Sequence, residues 1–498
     1  MFLHDNIVIE WLQKHAIRHL CLDSREIEAG DAYVVLAGST HDATRFIPQA
    51  IERGATALLI ESDTEFVRQG NSAAIPHLIV PQLRQVLSAL ADAWYGQPSK
   101  ALRVVGITGT NGKTSSAQWI AKGLQQLGQT AGTIGTLGCT GLATPPKHEY
   151  TTPDVLSMHR WLRLFSDHHI QTVAMEVSSH ALDQHRADDV HFHTALFTNL
   201  SRDHLDYHSS LETYGEAKAR LFTDHHVAHA VINIDDAWGK ELAQRWKKTH
   251  PQSPLLTLSL EQPADLYAKV YDSPAGLELA LTTAYGTDTV LLPYLNGRFN
   301  ASNVLGVIGV WLHLGISWSQ ILSVLPTIEP VPGRMNKFGG KHGAPTVIVD
   351  YAHTPDALEK VLLALHPLRD NTKGKLWCVF GAGGDRDPGK RPLMGSIAAQ
   401  FADKVVITSD NPRTEEPHLI AQGVYEGVPL TSRSYVQIDV DRRHAIAHTL
   451  NAAASEDIIL IAGKGHEPYQ EVHGVRTPFS DAEEVQKWLS AQQPVIGF

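Results

Sequence analysis

Residues 102–108 form an apolar run, Leu102-Arg-Val-Val-Gly-Ile-Thr108. It breaks into Gly109-Thr-Asn-Gly112 and then into Lys113-Thr-Ser-Ser116. That order predicts a buried strand, a glycine-rich loop and a helix. Similar punctuation divides the chain into three blocks. Residues 1–98 alternate short strands at 33–37, 57–61 and 77–80 with helical stretches, ending in a helix near 83–95. Gly96-Gln-Pro-Ser-Lys100 reads as a linker. Residues 99–331 add strands at 172–177 and 195–198. The turn-rich Glu329-Pro-Val-Pro-Gly-Arg334 leads into residues 332–498, with apolar strands at 346–349, 376–380, 404–408 and 457–462. Apolar strands alternating with helical stretches predict an α/β protein built on parallel sheets.

Polar residues collect just after these strands. Glu176-Val-Ser-Ser-His180, Asp350-Tyr-Ala-His353, Gly381-Ala-Gly-Gly-Asp385, Asp410-Asn-Pro-Arg413 and Gly463-Lys-Gly-His-Glu467 all occupy such positions. Any one of them alone reads as turn and capping chemistry. Together they predict a ligand surface at the carboxyl ends of the strands, where open α/β sheets bind.

Composition narrows the class. A chain of 498 residues holds about three domains. A hydrophobic content of 43% with 19% charged residues fits a globular protein in water. The net charge of -11 argues against a general binder of nucleic acid or of anionic membranes. Cys21, Cys139 and Cys378 lie far apart without metal-ligand spacing, as expected of reduced thiols. The first residues lack a basic, apolar leader, and no run approaches the ~18–20 apolar residues of a membrane helix. A soluble cytoplasmic protein without membrane insertion is expected.

The glycine loop points to a triphosphate. Gly109 and Gly112 let successive N–H groups converge on phosphate oxygens at a helix N-terminus. Lys113 adds a point charge, and Thr114 adds a hydroxyl able to ligate magnesium. Five residues separate Gly112 from the nearest matching first glycine, Gly106, instead of the usual four. Glu176 ends an apolar strand, where a carboxylate is costly unless it meets a cation or a full set of hydrogen bonds. The segment from Asn199 to His208 gathers metal-competent groups. Alone, His204 reads as a hydrogen-bonded structural histidine; beside Glu176 and the loop it suggests a second magnesium site. Periodicity places Lys218 on an exposed helix face. Asn300 and Asn303 either cap a helix or face a ligand. Arg386 and Arg413 suit carboxylates, whereas Asp410 and Glu467 suit an ammonium, the complement of a zwitterionic amino acid. An ion-pair network between loops is the competing account.

These segments together resemble the Mur ligase family of bacterial cell-wall synthesis, over almost the whole chain. The resemblance runs through Leu22-Asp-Ser-Arg25, Gly109 to Thr114, Thr151-Thr-Pro-Asp154, Glu176 to His180 and Asn199 to His208. It continues through Pro332-Gly-Arg-Met335, Asp350 to Asp356, and Asp410 to Arg413, the last motif being typical of members that add meso-diaminopimelate. The resemblance implies a smaller N-terminal α/β domain (1–98) for UDP-MurNAc. It implies a central phosphate-loop ATPase-type parallel sheet (99–331) and a C-terminal Rossmann-like amino-acid domain (332–498). The activity implied is ATP-driven amide formation through an acyl phosphate, joining meso-diaminopimelate to the D-glutamyl γ-carboxylate of UDP-MurNAc-L-Ala-D-Glu. Partners would then be small molecules alone, with ATP as co-substrate and the protein a monomer.

Site roles follow from the same resemblance. Leu22, Ser24, Ser39, Thr40 and His41 match positions for the uridine diphosphate end, and Thr151, Thr152, Ser178, Gln184 and Arg186 those for the muramoyl-dipeptide. Gly109, Thr110, Asn111, Gly112, Lys113, Thr114 and Ser115 match ATP-phosphate positions, and Asn303, Arg334 and Asp350 contact the rest of ATP. Lys113, Glu176, His204 and Lys218 match the catalytic group. Thr114, Glu176, His204 and Lys218, the last carbamylated, match ligands of two magnesium ions. Arg386, Asp410, Asn411, Pro412, Arg413, Gly463 and Glu467 match the diaminopimelate pocket. Tyr150 departs from relatives that carry asparagine there. A lysine-adding member of the family is the nearest rival, disfavoured by the carboxylate-reading fork expected at Arg413. A folylpolyglutamate synthase or a phosphate-loop regulatory ATPase explains only the central block.

Overall fold

The computed structural model describes residues 3–38, 42–146, 150–273, 275–341 and 343–492. Its first sheet is parallel, with strands Leu20–Cys21, Ala32–Val35, Ala57–Glu61 and His77–Val80 in chain order. Val34 and Leu59 turn to one face and Tyr33 and Leu58 to the other, so both sides are apolar. The helix Leu83–Trp94 covers one face through Leu83, Leu87, Leu90 and Ala91, at helical spacing. It also packs on the helix Val155–Asp167 of the next unit.

The second sheet has ten strands, and the phosphate-loop strand Arg103–Thr108 lies between Thr172–Glu176 and His191–Phe197. The chain builds outward on both sides of this strand, which makes its carboxyl end a topological switch point. The helices Lys113–Gln126 and Arg298–His313 cover one face, and Val155–Asp167, Leu211–Thr223 and Ala237–Thr249 the other. The parallel region is extended by the strands Leu266–Ser273, Gly276–Thr283 and Gly286–Leu292, the last two joined in antiparallel hairpins. Sequence periodicity had left this segment without strands. Leu277, Leu279 and Leu281 face the core while Glu278 and Thr282 face outward, the alternation of a sheet buried on one side.

The third sheet runs in the order Asn336–Gly339, Thr346–Asp350, Ile458–Ala462, Leu376–Phe380, Lys404–Ile407 and Val436–Ile438, parallel except for its first strand. Its Val- and Ile-rich strands are buried on both faces, as parallel sheets require. A short hairpin, Tyr469–Val472 with Val475–Pro478, folds beside the Asp410–Arg413 loop. Among the described residues, no helix is long and apolar enough to cross a membrane.

Candidate active site

The glycine loop is tied to the neighbouring strand end. Thr110 N donates to Asn199 O (2.9 Å) and Asn111 N to Asn199 Oδ1 (3.0 Å), while Thr198 Oγ1 donates to Asn111 O (2.6 Å). Gly109 and Gly112 have φ of 147° and 88°, and a Cβ at either would collide with Thr198 or Asn303. Lys113 Nζ folds back on Gly109 O (2.7 Å) and Thr110 O (2.8 Å). Lys218 Nζ donates to that same Gly109 O at 2.9 Å, with its ammonium position 4.3 Å from the Tyr214 ring centre.

Lys218 is therefore buried, with 1% of its surface exposed. The exposed position expected from periodicity is wrong because the helix Leu211–Thr223 turns Tyr214, Ala217, Lys218 and Leu221 inward together. Lys218 occupies the i+4 position of that stripe, where a lysine taken by itself reads as solvent-facing. Burial, and then the charge of Lys113, hold the Lys218 amine well below the ordinary lysine pKa, with Asp203 opposing. Burial likewise lowers the pKa of Lys113.

Glu176 is buried and fully bonded. Its carboxylate accepts from Thr114 Oγ1 (3.0 Å), Thr136 N (2.8 Å) and Thr136 Oγ1 (3.2 Å). Arg334 reaches from the third sheet's lead-in and donates through Nη2 to Thr114 Oγ1 (3.1 Å). Its guanidinium lies 4.4 Å over the Tyr351 ring, and its buried Nε has no partner among the described residues. Asp350 accepts from Met335 N (2.7 Å) and Ala352 N (2.8 Å); burial raises its pKa, and Arg334 opposes this. Asn111, Gly112, Ser115, Asn303, Arg334 and Asp350 line a cavity of about 480 Å³ between the second and third sheets. That size holds a nucleotide. Asn300 lines it too, with Nδ2 donating to Asn296 O (2.9 Å).

His204, at φ 54°, packs its ring against His180 and Tyr214. Burial lowers its pKa to about 3, with Asp203 opposing, so the imidazole is neutral and able to ligate. Asp203 Oδ2 lies 3.4 Å from His204 Nε2 and 3.6 Å from His353 Nε2, bridging the two sheets. Among the described residues no three His, Cys, Asp or Glu side chains gather at metal-binding distance. The donors at the loop are instead the hydroxyl of Thr114 and the carboxylate of Glu176, hard oxygens suited to magnesium.

The residues matched to the muramoyl-dipeptide form one network. Thr152 Oγ1 donates to Glu176 O (2.9 Å) and accepts from Ser178 N (3.1 Å), and Thr136 Oγ1 donates to Thr151 Oγ1 (3.1 Å). Arg186 donates to Thr152 O (3.3 Å) and to Gln184 Oε1, and lies 5.7 Å from the Tyr150 ring. Tyr150 in turn lines a cavity of about 880 Å³ with Leu22, Ser24, Phe46 and Trp161. Ser24 Oγ donates to Gln49 Oε1 (2.6 Å). Ser39, Thr40 and His41 lie outside the described residues.

At the third sheet's carboxyl edge, Arg413 Nη1 donates to Gly384 O (2.6 Å), and its backbone N–H to Glu471 O (3.0 Å). Arg386 pairs across the cleft with Asp206 (3.4 Å), and Arg202 with Asp387 (3.0 Å). Asp410 and Asn411 are buried below Pro412, and a Cβ on Gly463 would reach within 2.6 Å of Asp410 Oδ2. Glu467 is not left wholly to a ligand, since its Oε2 accepts from Asn411 Nδ2 (2.8 Å) and Lys464 Nζ (3.0 Å).

Thr136 and Arg442 have no apolar periodicity or metal spacing to announce them, whereas Lys464 and Asp203 lie in segments read as ligand-binding and metal-competent but without a role of their own. For Lys464, the signal available was a lysine between two glycines immediately after a buried strand.

Three family models match this chain: "Mur ligase family, catalytic domain" over residues 16–95, "Mur ligase middle domain" over 107–311, and "Mur ligase, glutamate ligase domain" over 333–465. UDP-N-acetylmuramoyl-L-alanyl-D-glutamate--2,6-diaminopimelate ligase of Xanthomonas oryzae is 45% identical, covering 93% of this chain and 92% of its own. The Pseudomonas aeruginosa protein of that name is 44% identical, covering 95% of each. A solved structure bearing the same enzyme name is 36% identical with a TM-score of 0.65, covering 96% of this chain and 95% of its own. MurF from Acinetobacter baumannii shares the fold at 19% identity, with a TM-score of 0.70 and coverage of 97% and 98%. By sequence, domain order and fold, this chain belongs to the Mur ligase family of ATP-dependent, amide-bond-forming enzymes.

Proposed function

We propose that the chain joins meso-diaminopimelate to UDP-MurNAc-L-Ala-D-Glu at the expense of ATP. The observation that carries this is identity of 44% and 45% with ligases of that name across nearly the full length of both chains. In the reaction, a γ-carboxylate oxygen of the D-glutamyl residue attacks the γ-phosphorus, and the bond to the bridging oxygen breaks to release ADP. The amine of diaminopimelate then attacks the acyl carbon and loses a proton, and the carbon–oxygen bond to phosphate breaks.

Lys113 and the N–H groups of residues 109–115 are assigned to the ATP phosphates, where their charge offsets that on the transferring phosphoryl group. The Nε of Arg334, without a partner among the described residues, is a donor available to the same nucleotide, in the cavity that Asn303 and Asp350 also line. Burial favours the neutral amine of Lys218, the form that can add carbon dioxide, releasing a proton and leaving a carbamate. Two magnesium ions on Thr114, Glu176, His204 and that carbamate would supply charge neutralisation. Leu22, Ser24, Thr151, Thr152, Ser178, Gln184 and Arg186 are assigned to the nucleotide-linked dipeptide, together with Ser39, Thr40 and His41. Arg386 and Arg413 would read the distal carboxylate of diaminopimelate, with Asp410, Asn411, Pro412, Gly463 and Glu467 around its ammonium.

The domain limits inferred are 1–98, 99–331 and 332–498, and the protein is read as a cytoplasmic monomer acting on small molecules. Phosphate release is the test, with UDP-MurNAc-L-Ala-D-Glu and either meso-diaminopimelate or L-lysine. Release should need all three substrates and favour diaminopimelate by at least about a hundredfold. Preference for lysine would make this a lysine-adding ligase, and release without either acceptor would make it a regulatory ATPase.

A further inference from the structure

A buried cation lies beneath the Asp410–Arg413 loop. Lys464 has none of its surface exposed. Its flanking glycines, at φ 116° and 55°, let the chain reverse after the strand Ile458–Ala462 and direct the lysine inward. Nζ donates to Asn411 Oδ1 (2.9 Å) and Glu467 Oε2 (3.0 Å), and stands 3.9 Å from Asp410 Oδ1. The Tyr469 ring is 5.6 Å away.

These contacts fix the groups around them. Asn411 Oδ1 also accepts from Glu471 N (3.0 Å), so its oxygen serves the lysine and hairpin while its Nδ2 serves Glu467. Gln470 Nε2 donates to Asp410 O (2.9 Å), and Arg413 N donates to Glu471 O (3.0 Å). Two stretches that are distant in sequence, 410–413 and 463–472, therefore converge on one ammonium. Charge arithmetic points the same way. Asp410 and Glu467 bring two negative charges, and Lys464 returns one positive charge. Among these three contacting groups one negative charge remains, which matches one substrate ammonium. Without Lys464 the buried Asp410 and the half-buried Glu467 would lose the ammonium that stands against both, leaving the Arg442 guanidinium farther off to offset their charge, which is costly.

We propose that Lys464 is a positioning residue for the amino-acid substrate, holding Asn411 and Glu467 in their binding orientation and setting the net charge beside Asp410. This rests on the assignment of diaminopimelate to the pocket. Lys464→Met is the test, with KM measured for all three substrates, together with kcat and thermal stability. KM for meso-diaminopimelate should rise at least about tenfold, with the KM values for ATP and the UDP-linked dipeptide within about twofold and kcat falling less than KM rises. If Lys464→Met does not fold, Lys464→Gln, which keeps a donor toward Asn411, undergoes the same measurement. An unmoved KM for diaminopimelate, or a parallel rise in all three values, would overturn the role while leaving the wild-type substrate assignment standing. Failure of the wild-type enzyme to use diaminopimelate would overturn that assignment, and the role of Lys464 with it.

Discussion

Arg442 and Asp481 form a fully buried ion pair under the amino-acid pocket. Arg442 Nε and Nη2 donate to the two carboxylate oxygens at 2.8 and 2.7 Å. Nη1 donates to Ser409 O (3.1 Å), and Nη2 also reaches Ala462 O (3.0 Å). Those carbonyls immediately precede Asp410 and Gly463, so one guanidinium ties together two loops assigned to substrate. Arg442→Met removes these bonds and strands a carboxylate in the core, which should cost about 3–5 kcal/mol. At about 2–4 °C per kcal/mol for a domain of this size, the transition of the third unit should fall by about 6–20 °C. Because the penalty comes from the abandoned charge, Arg442→Met/Asp481→Leu should regain most of it. Differential scanning calorimetry of the whole chain gives both values. A loss under about 1 kcal/mol, or a double variant no more stable than the single, would refute the reasoning.

Three further outcomes follow from the site. Carbon-13 NMR in labelled bicarbonate should show a carbamate resonance in the wild-type protein that is lost in Lys218→Arg; an unchanged signal would remove Lys218 from the metal ligands. Arg413→Ala should raise KM for diaminopimelate at least about tenfold while leaving that for ATP within about twofold, and equal changes would sink its role. Burial lowers the pKa of His313 and of His466 to about 4. The unfolded chain binds protons at these sites near pH 6.5, whereas the folded chain does not. Stability should therefore be full above that pH and fall toward pH 4, by up to about 1.4 kcal/mol per pH unit for each histidine. Thermal melts at pH 7 and pH 5 check this, and equal midpoints would contradict it.

Much of the fold was legible because parallel strands announce themselves as short apolar runs. The strands Ala57–Glu61, His77–Val80 and Leu376–Phe380 coincide with the expected spans. The antiparallel extension at 266–292 presents no such run: its Leu277, Leu279 and Leu281 alternate with Glu278 and Thr282, so a period of two, not a continuous apolar stretch, marks it. Glu176 was legible as a carboxylate closing an apolar strand. Lys218 sits within the stripe of Tyr214, Ala217, Leu221 and Phe222, yet a lysine alone reads as exposed, and its burial followed only from the carbamate that the family resemblance implied. Lys464 and Arg442 depend on partners 53 and 39 residues away in sequence, which local pattern does not reveal.

The central claim is that ATP activates the dipeptide's γ-carboxylate for attack by diaminopimelate. The most direct measurement uses UDP-MurNAc-L-Ala-D-Glu labelled with oxygen-18 in that carboxylate, and follows the released phosphate by mass spectrometry. Each turnover with meso-diaminopimelate should deliver one labelled oxygen to phosphate and leave the other in the new amide. Unlabelled phosphate accompanying amide formation would contradict the acyl-phosphate route, and labelled phosphate without amide would contradict the assigned amine.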